Sequence, residues 1–269
     1  MRLALTSIRL AIALIAISRL APAQDAPPKD AAKPKATAKA KRQKPAHADS
    51  GKTYMGRDVA EVMSYLGADW LVRPERDQEE QPDAMLDALK IKPGSTVADV
   101  GAGVGFTSVR ISKRVGPKGT VLATDIQPEM LTKLRSNTKA LGITNVKPIL
   151  ATAADVKLPE GAVDLAIMVD VYHECTDPAA VLKGIRKALK PGGRLVLIEF
   201  KAEDPDVPIK PEHKMTLAQV RKEVEPQGYT FKEAQDFLPW QHIIIFEKPL
   251  DEKPKAEPAP KKAKADDDN

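Results

Sequence analysis

The sequence predicts a doubly wound α/β domain built on a mostly parallel sheet of seven strands. Between residues 82 and 200, short apolar runs alternate with segments whose apolar residues recur at helical spacing. The runs lack the polar alternation of a half-exposed strand, so helices should cover both faces of the sheet. Near the C-terminus, two strand-like runs stand too close together for a crossover helix, which predicts one antiparallel strand.

The individual elements follow from apolar spacing and from residues that favour helix ends. Pro128 favours the first turn of one helix, and Asp177 can cap another. Helices are predicted over residues 82–90, 105–115, 128–141, 177–190 and 216–226. Strands are predicted over residues 95–100, 119–126, 145–150, 163–170, 194–200, 229–238 and 241–248. A PGG turn precedes the fifth of these strands, and Pro239 and Trp240 join the last two.

The ends of the chain differ in composition from the middle. Residues 24–50 and 249–269 are mainly Ala, Lys, Pro and Asp, which predicts a disordered linker and a disordered charged tail. Residues 1–23 hold arginines, a short apolar run and an Ala-Pro-Ala site. This pattern predicts a signal peptide and export, with no transmembrane span after cleavage and a membrane anchor if uncleaved. Residues 51–248 then form one domain, which begins with a helical segment over residues 51–92.

The basic excess of the chain lies outside this domain. The net charge is +5, and residues 1–50 hold ten Lys and Arg against three acidic residues. The domain is therefore close to neutral, which gives no support to a nucleic-acid groove. We interpret the Lys-rich linker as a solvated spacer, with loose contact to lipid, polymer or nucleic acid as the alternative.

The stretch VADVGAGVGF, residues 97–106, places three glycines directly after a predicted buried strand. A loop this bare lets the main chain approach a ligand at the start of the following helix, although glycines also serve only to let strand and helix pack. The spacing G-x-G-x-G differs from the dinucleotide pattern G-x-G-x-x-G, and no Lys-Ser or Lys-Thr pair follows. A ligand held mainly by its phosphates is therefore disfavoured.

This stretch resembles the first motif of class I S-adenosylmethionine-dependent methyltransferases, and the resemblance continues in order through residues 93–248. TDI at 124–126, AAD at 153–155 and LKPGGRLVL at 189–197 match later motifs of that family. The resemblance implies a Rossmann-like fold, methyl transfer and S-adenosyl-L-methionine as the cofactor. The cofactor-binding residues that it implies are Asp99, Gly101, Ala102, Gly103, Gly105, Asp125, Ile126, Ala154, Asp155 and Asp170.

The resemblance gives three of these carboxylates separate roles. Asp125 would bind both ribose hydroxyls, Asp155 would accept from the adenine amino group, and Asp99 would act near the methionine amino group. A carboxylate on a diol makes a pair of charge-assisted hydrogen bonds, and Asp125 lies where the second strand of a βαβ unit should end. The plainer alternatives are a helix cap for Asp125 and a loop acid without a partner for Asp155.

The sequence DVYHE, residues 170–174, follows the fourth predicted strand, at the sheet edge where such folds bind ligands. The predicted catalytic residues are His173, Asp170 and Tyr172. Asp170 would face the methionine end of the cofactor, and His173 is the candidate base because its ordinary pKa lies near neutrality. Structural roles at a strand end are the alternative, above all for Glu174. The His-Glu pair lacks the H-E-x-x-H spacing, so no metal site is predicted.

Further residues are candidates to shape the acceptor pocket. His213, Trp240 and His242 lie in later loops and strands, where packing or surface roles are the default. Residues 54–83 resemble the N-terminal segment of a group of exported bacterial methyltransferase-like proteins. In that segment Tyr54, Trp70, Arg73 and Arg76 could reach the pocket, with a structural brace as the alternative.

The resulting hypothesis is methyl transfer to an unidentified small-molecule acceptor, which suits a near-neutral domain. A protein or polymer acceptor recruited by the linker is one alternative, and a binding module without turnover is another. The glycine spacing disfavours a nucleotide-dependent oxidoreductase. Arsenite methyltransferases share the core pattern but need several cysteines, and this chain has only Cys175, which also excludes an intramolecular disulfide. The oligomeric state is left open.

Overall fold

A computed structural model describes residues 51–250 of the chain. The predicted signal peptide and linker lie outside the described residues, as does the tail from residue 251 onward. Within residues 51–250, no helix combines the length and the apolar character that crossing a bilayer requires.

The elements within residues 51–250 follow the predicted alternation of strands and helices. The strands are β1 (Thr53–Tyr54), β2 (Arg57–Asp58), β3 (Thr96–Val100), β4 (Thr120–Asp125), β5 (Val146–Leu150), β6 (Val163–Val169), β7 (Leu189–Lys201), β8 (Lys214–Met215), β9 (Thr230–Gln235) and β10 (Gln241–Glu247). The α-helices are α1 (Arg76–Glu80), α2 (Pro82–Ala88), α3 (Phe106–Val115), α4 (Pro128–Ala140), α5 (Pro178–Ala188) and α6 (Leu217–Val224). Short 3-10 helices span Tyr65–Val72, Tyr172–Glu174, Pro211–His213 and Glu225–Gln227.

The central sheet has the strand order β5-β4-β3-β6-β7-β10-β9, and the short β8 pairs beside β7. Strands β3 to β7 run parallel, whereas β10 is antiparallel to both β7 and β9. The predicted doubly wound α/β fold with an antiparallel C-terminal strand is therefore confirmed. Because the chain crosses from β5 back to β6, the strand order reverses beside β3. The carboxyl ends of β3 and β6 thus flank the crevice where open α/β sheets bind ligands.

Apolar residues on both faces of the sheet hold the helices in place. Along β7, Leu195 and Leu197 belong to one buried cluster, and Val196 and Ile198 belong to the other. Helices α5 and α6 cover the first face, and α2, α3 and α4 cover the second. This two-sided burial explains why the strands read as continuous apolar runs in the sequence.

Two local predictions are corrected by the structure. The segment 51–92 does not begin as a helix: β1 and β2 form a hairpin whose turn residues, Met55 and Gly56, have φ of 47° and 94°. Left-handed conformations at both positions suit the right-handed twist of a two-residue hairpin. Strand β7 begins at Leu189 rather than at residue 194, because Leu189 already pairs with Val163 of β6.

Candidate active site

The glycine loop leaves β3 and enters α3 at the carboxyl edge of the sheet. Gly101 and Gly103 have φ of 77° and 53°. A Cβ at Gly101 would lie 2.5 Å from Cγ2 of Val171, and one at Gly103 would lie 2.8 Å from Cδ1 of Leu71. The left-handed backbone favours glycine at both positions, and at Gly101 the Val171 side chain also leaves no room for a Cβ.

Asp125 ends β4 and places its carboxylate against the glycine loop. Its Oδ2 accepts from the N–H of Gly103 at 2.8 Å, and its Oδ1 accepts from the N–H of Gln127 at 2.9 Å. Burial raises the pKa of Asp125, and the hydrogen bonds from these N–H groups oppose that rise. The carboxylate predicted to bind a ribose thus lies beside the bare main chain, where a nucleoside would have to lie.

Asp99 lies one strand away and is almost completely buried. Its Oδ2 accepts from the hydroxyl of Ser108 at 2.6 Å. Burial raises the pKa of Asp99 to about 6, although the Ser108 hydroxyl and the charge of Arg76 lower it. A buried acid of this kind is stabilised in its charged form by a cationic partner such as an ammonium group.

The substitution Asp99→Asn is expected to change how stability depends on pH. The folded-state pKa of about 6 exceeds the ordinary value of 3.8, so the folded protein holds this proton more tightly than the unfolded chain does. The resulting stabilisation is complete below about pH 4 and is lost as the pH rises through 6. Urea unfolding should show wild type losing up to ~1.4 kcal/mol per pH unit relative to Asp99→Asn in this range. Parallel curves for the two proteins would contradict the shift.

The residues predicted for the adenine end lie on exposed loops at the same edge. Asp155 follows β5, and its Oδ2 lies 2.6 Å from Nζ of Lys157, whose hydrogen bond and charge lower the pKa of Asp155. Ala154 is exposed, and Ile126 is 39% exposed directly after Asp125. Asp155 therefore has a partner, contrary to the alternative of an isolated loop acid, but that partner is itself exposed.

Asp170 has a left-handed backbone and a buried carboxylate at the end of β6. It adopts φ of 54°, and its Oδ2 accepts from Nε2 of Gln241 at 2.6 Å. Its Oδ1 is buried and has no hydrogen-bond partner among residues 51–250. Burial and the negative charges of Glu80 and Glu199 raise the pKa of Asp170 well above its usual value. Strain together with an unsatisfied buried atom is typical of binding sites.

Tyr172 is fully buried in a charged network rather than open to a substrate. Its hydroxyl donates to Oε2 of Glu223 at 2.8 Å, and Glu223 also accepts from Nε of Arg57 at 2.7 Å. The guanidinium carbon of Arg57 lies 5.5 Å from the centroid of the Tyr172 ring. This network gives Tyr172 a structural role, and nothing in it supports the predicted direct part in catalysis.

His173 is the middle member of a buried chain of polar side chains. Its Nδ1 lies 2.5 Å from Oε2 of Glu199, and its Nε2 lies 3.1 Å from Nδ1 of His213. Glu199 also accepts from the N–H of Tyr172 at 2.9 Å, which orients the carboxylate from the backbone. Glu199 and His173 are buried, and His213 is the partly exposed end of this row of three polar side chains.

The pKa values of the two imidazole rings shift in opposite directions. Burial lowers the pKa of His173, but the neighbouring Glu199 carboxylate outweighs burial and leaves the pKa above its usual value. Burial and the charge of His173 lower the pKa of His213 to about 4. Beside them, burial raises the pKa of Glu174 to about 7, although His173 opposes the rise. The Glu199 carboxylate therefore favours a proton on His173 over one on His213.

The N-terminal segment crosses the carboxyl edge of the sheet. The N–H of Tyr65 donates to Oε1 of Gln127 after β4 at 2.8 Å, and the N–H of Met63 donates to Glu174 after β6 at 3.3 Å. Nε2 of Gln127 donates back to the carbonyl of Met63 at 2.9 Å. These hydrogen bonds attach the segment to two strand ends that border the crevice.

Two of the predicted pocket residues, Arg73 and Arg76, are engaged by acids of α1. Nη2 of Arg73 lies 2.6 Å from Glu79 and 2.9 Å from Glu80. Nε of Arg76 lies 2.6 Å from Glu80, and both side chains are buried. The charge of Arg76 reaches Asp99, whose pKa it lowers against the larger effect of burial. Arg76 therefore acts on the candidate site through its charge, although its side chain is paired with Glu80.

The remaining candidates differ in their surroundings. Trp70 is 52% exposed, and the guanidinium carbon of Arg73 lies 3.7 Å from the centroid of its ring. Tyr54 is half-buried in the N-terminal hairpin, and Trp240 is half-buried before β10. His242 is buried, and its Nε2 has no hydrogen-bond partner within the described residues. Of the later-loop candidates, only His213 makes a hydrogen bond with a predicted catalytic side chain.

Three residues that the sequence reasoning missed hold the site together: Glu199, Gln241 and Gln127. Glu199 stands within the apolar run RLVLIEF and Gln241 begins the run QHIIIF. A polar residue inside a buried strand needs a hydrogen-bond partner, so the positions of Glu199 and Gln241 in apolar runs could have marked them as candidate site residues. Gln127 gave no comparable signal, because it stands in a loop where polar residues are ordinary.

A family model described as a methyltransferase domain matches residues 91–244. A SAM dependent methyltransferase from Aquifex aeolicus superposes with a TM-score of 0.66 at 28% identity, over 70% of this chain and 100% of that one.

Among curated relatives, the ubiquinone/menaquinone biosynthesis C-methyltransferase UbiE of Vibrio vulnificus is 34% identical over 116 residues, which are 43% of this chain and 45% of that protein. An uncharacterized 37.1 kDa protein in transposon TN4556 of Streptomyces fradiae is 36% identical over 115 residues, which are 43% of this chain and 33% of that protein. The matches therefore span less than half the length of these two relatives.

Proposed function

Because the chain belongs to the methyltransferase domain family, we propose that it transfers a methyl group from S-adenosyl-L-methionine to a small-molecule acceptor. The observation that carries the proposal is the contact between Asp125 and the glycine loop. The carboxylate of Asp125, at the end of β4, accepts a hydrogen bond from the N–H of Gly103 in this loop. A nucleoside with an amino-acid tail needs both features: a carboxylate that can bind its ribose and bare main chain that leaves room for its tail. Charge-assisted hydrogen bonds to a ribose diol would use the same carboxylate.

The residues present fit this cofactor at both ends. At the loop, a Cβ on Gly101 would collide with Val171, so only a glycine lets the main chain adopt this path. At the methionine end, Oδ1 of Asp170 is buried and has no hydrogen-bond partner among residues 51–250, so a ligand can form a hydrogen bond with it. Asp99 and Glu174 add two buried acids whose pKa values are raised by burial, which favours a ligand that carries positive charge.

When bound, S-adenosyl-L-methionine supplies an electrophilic methyl group on a sulfonium. The protein's contribution is to hold the acceptor in line with that methyl group, and proximity of this kind supplies about 7–11 kcal/mol in favourable cases. Asp125 and the glycine loop would position the nucleoside, while Asp170 would orient the methionine end. Nδ1 of His173 is engaged by Glu199, so Nε2 is the ring nitrogen that could bind a proton or another electrophile.

A small-molecule acceptor is supported by two observations. The Vibrio vulnificus relative bears the name of an enzyme of ubiquinone/menaquinone biosynthesis. The described part of the chain is nearly neutral, whereas a nucleic-acid acceptor would call for a basic surface. A protein or polymer acceptor is the competing possibility, and deleting residues 24–50 tests it, since a loss of turnover would indicate recruitment by the linker.

Calorimetric titration with S-adenosylhomocysteine tests the cofactor site. Wild type is expected to bind with a micromolar Kd, and Asp125→Ala is expected to bind at least about tenfold more weakly, or ~1.4 kcal/mol. The reason is the loss of the carboxylate that would bind the ribose. Asp155→Ala removes an exposed acid on the neighbouring loop and should weaken binding less.

Asp236→Ala serves as the control, because Asp236 is an exposed acid whose ion-pair partner is Lys201, outside the proposed cofactor contacts. Thermal unfolding of each variant separates a lost contact from a lost fold. Equal affinities for wild type and Asp125→Ala would remove Asp125 from its assigned role. Tight NAD binding without S-adenosylhomocysteine binding would replace the proposal with a nucleotide-dependent oxidoreductase.

A further inference from the structure

His173, Glu174 and His213 meet at the carboxyl edge of the sheet although His213 stands 40 positions away from His173 in the chain. Each offers one ligand atom, and these atoms all lie within 4.8 Å of one another. We propose that the three side chains form a binding site for a divalent transition-metal cation of the Zn²⁺ type. The sequence predicted no metal site, because the fold, rather than a short motif, brings the ligands together.

The spacing of the two imidazole nitrogens suits such a cation. Nε2 of His173 and Nδ1 of His213 lie 3.1 Å apart. Two ligands of a tetrahedral Zn²⁺ with Zn–N bonds of ~2.0–2.1 Å are separated by about 3.3–3.4 Å. The observed separation of the two nitrogens therefore lies within a few tenths of an ångström of the separation that two Zn²⁺ ligands require.

The carboxylate behind His173 is the partner that metal-bound histidines usually have. Glu199 accepts from Nδ1 of His173, so Nε2 is the ring nitrogen that faces His213 and can act as the metal ligand. A carboxylate in this position fixes the ring and raises its basicity as a ligand. Since Glu199 is fully buried and also accepts from the N–H of Tyr172, its own position is set by the backbone.

Glu174 completes the set with an oxygen ligand. Its carboxylate accepts from the N–H of Met63 at 3.3 Å, which is a long hydrogen bond for a charged acceptor. Two histidines and one carboxylate are a frequent ligand set of catalytic zinc sites, in which a further position stays open for water or substrate.

A cation at this site would take the place of the proton that His173 and His213 otherwise share. His173 would then act as a ligand rather than as the base that the sequence predicted. If the proposed methyl transfer is correct, an acceptor oxygen at the open position would have its pKa lowered and would release its proton to solvent. The oxygen would form its bond to the methyl carbon as the carbon–sulfur bond breaks and S-adenosylhomocysteine leaves.

Calorimetric titration with Zn²⁺ alone tests the site. The full chain, made without a histidine tag and dialysed against a chelator, is expected to bind one equivalent. His213→Ala and Glu174→Gln should each weaken binding by about 100-fold, because losing a ligand costs at least as much as losing an outer partner. Glu212→Gln is the matched control, since Glu212 neighbours His213 and pairs with Lys210 but does not belong to the three ligands. Its affinity should equal that of wild type.

A parallel titration with S-adenosylhomocysteine separates this proposal from the proposed function. If Zn²⁺ binds and S-adenosylhomocysteine does not, the metal site stands and the cofactor assignment fails. A His213→Ala variant that keeps its cofactor affinity but loses Zn²⁺ shows that its fold is intact and supports the site. No saturable Zn²⁺ binding by wild type, or equal affinities of wild type and His213→Ala, would overturn the proposal.

Discussion

Replacing Glu223 by alanine is expected to lower the free energy of unfolding by about 3–5 kcal/mol. Glu223 is fully buried and accepts from Nε and Nη2 of Arg57, from the Tyr172 hydroxyl and from Nε2 of Gln219. Without it, a nearly buried guanidinium and a buried hydroxyl lose their acceptor. Removing one partner of a buried pair costs more than the pair itself contributes, because the remaining charge stays desolvated.

The loss of Glu223 should also affect the candidate active site. Arg57 also donates to the carbonyl of His173 at 3.0 Å, and the N–H of Ala60 donates to the same carbonyl at 3.1 Å. The network around Glu223 therefore attaches the N-terminal hairpin to the backbone of the predicted catalytic segment. A Glu223→Ala variant that still folds should show weakened Zn²⁺ binding, since His173 would lose part of its backbone support.

Glu225→Ala is the matched control for this prediction. Glu225 follows α6 closely and pairs with Arg221 at 2.5 Å, but both side chains of that pair are more than a third exposed. An exposed pair of this kind contributes about 0.5 kcal/mol or less. Urea unfolding of the two variants compares buried and exposed pairs at the same end of one helix. If Glu223→Ala lost no more unfolding free energy than Glu225→Ala, water would have to reach Arg57, and the buried network would contribute little to stability.

The elements that could be predicted are those in which consecutive residues along the sequence are buried. Strands such as β6 and β7 are covered on both faces, so they appear as apolar runs, and the short turn between β9 and β10 leaves room only for antiparallel pairing. The N-terminal hairpin escaped prediction because two-residue strands have no apolar pattern. Its signal was the Met-Gly turn, which is ambiguous without knowledge of the flanking pairing.

For the candidate site, the sequence indicated positions at the ends of strands but not the contacts between distant loops. Asp125 lies beside the glycine loop because two adjacent parallel strands end at the same edge, which the motif spacing already implied. His213 lies in a 3-10 turn that follows β7, and no periodicity indicates which strand end it approaches. The hydrogen bond of Tyr172 to Glu223 depends in the same way on how α6 packs, so the sequence did not indicate that this hydroxyl is engaged by a buried acid.

The second large effect is expected at the glycine loop: Gly101→Ala should lower the free energy of unfolding by about 2–5 kcal/mol. The left-handed φ of 77° accounts for ~1–2 kcal/mol of this loss. The rest comes from the Cβ, which would lie 2.5 Å and 2.6 Å from the two methyl groups of Val171. Overpacking of this kind costs about 1–3 kcal/mol, and Cβ of Val171 would itself lie 3.1 Å from the added Cβ.

Two further variants separate the conformational cost from the steric cost. Gly142→Ala has a similar φ of 66° and nothing within 4 Å of the added Cβ, so it should show the conformational cost alone. The double variant Gly101→Ala/Val171→Ala removes the collision and should recover about 1–3 kcal/mol relative to the sum of the single losses. Strict additivity would mean that the loop moves away from Val171, and the tight contact between the glycine loop and the predicted catalytic segment would then not determine the shape of the crevice.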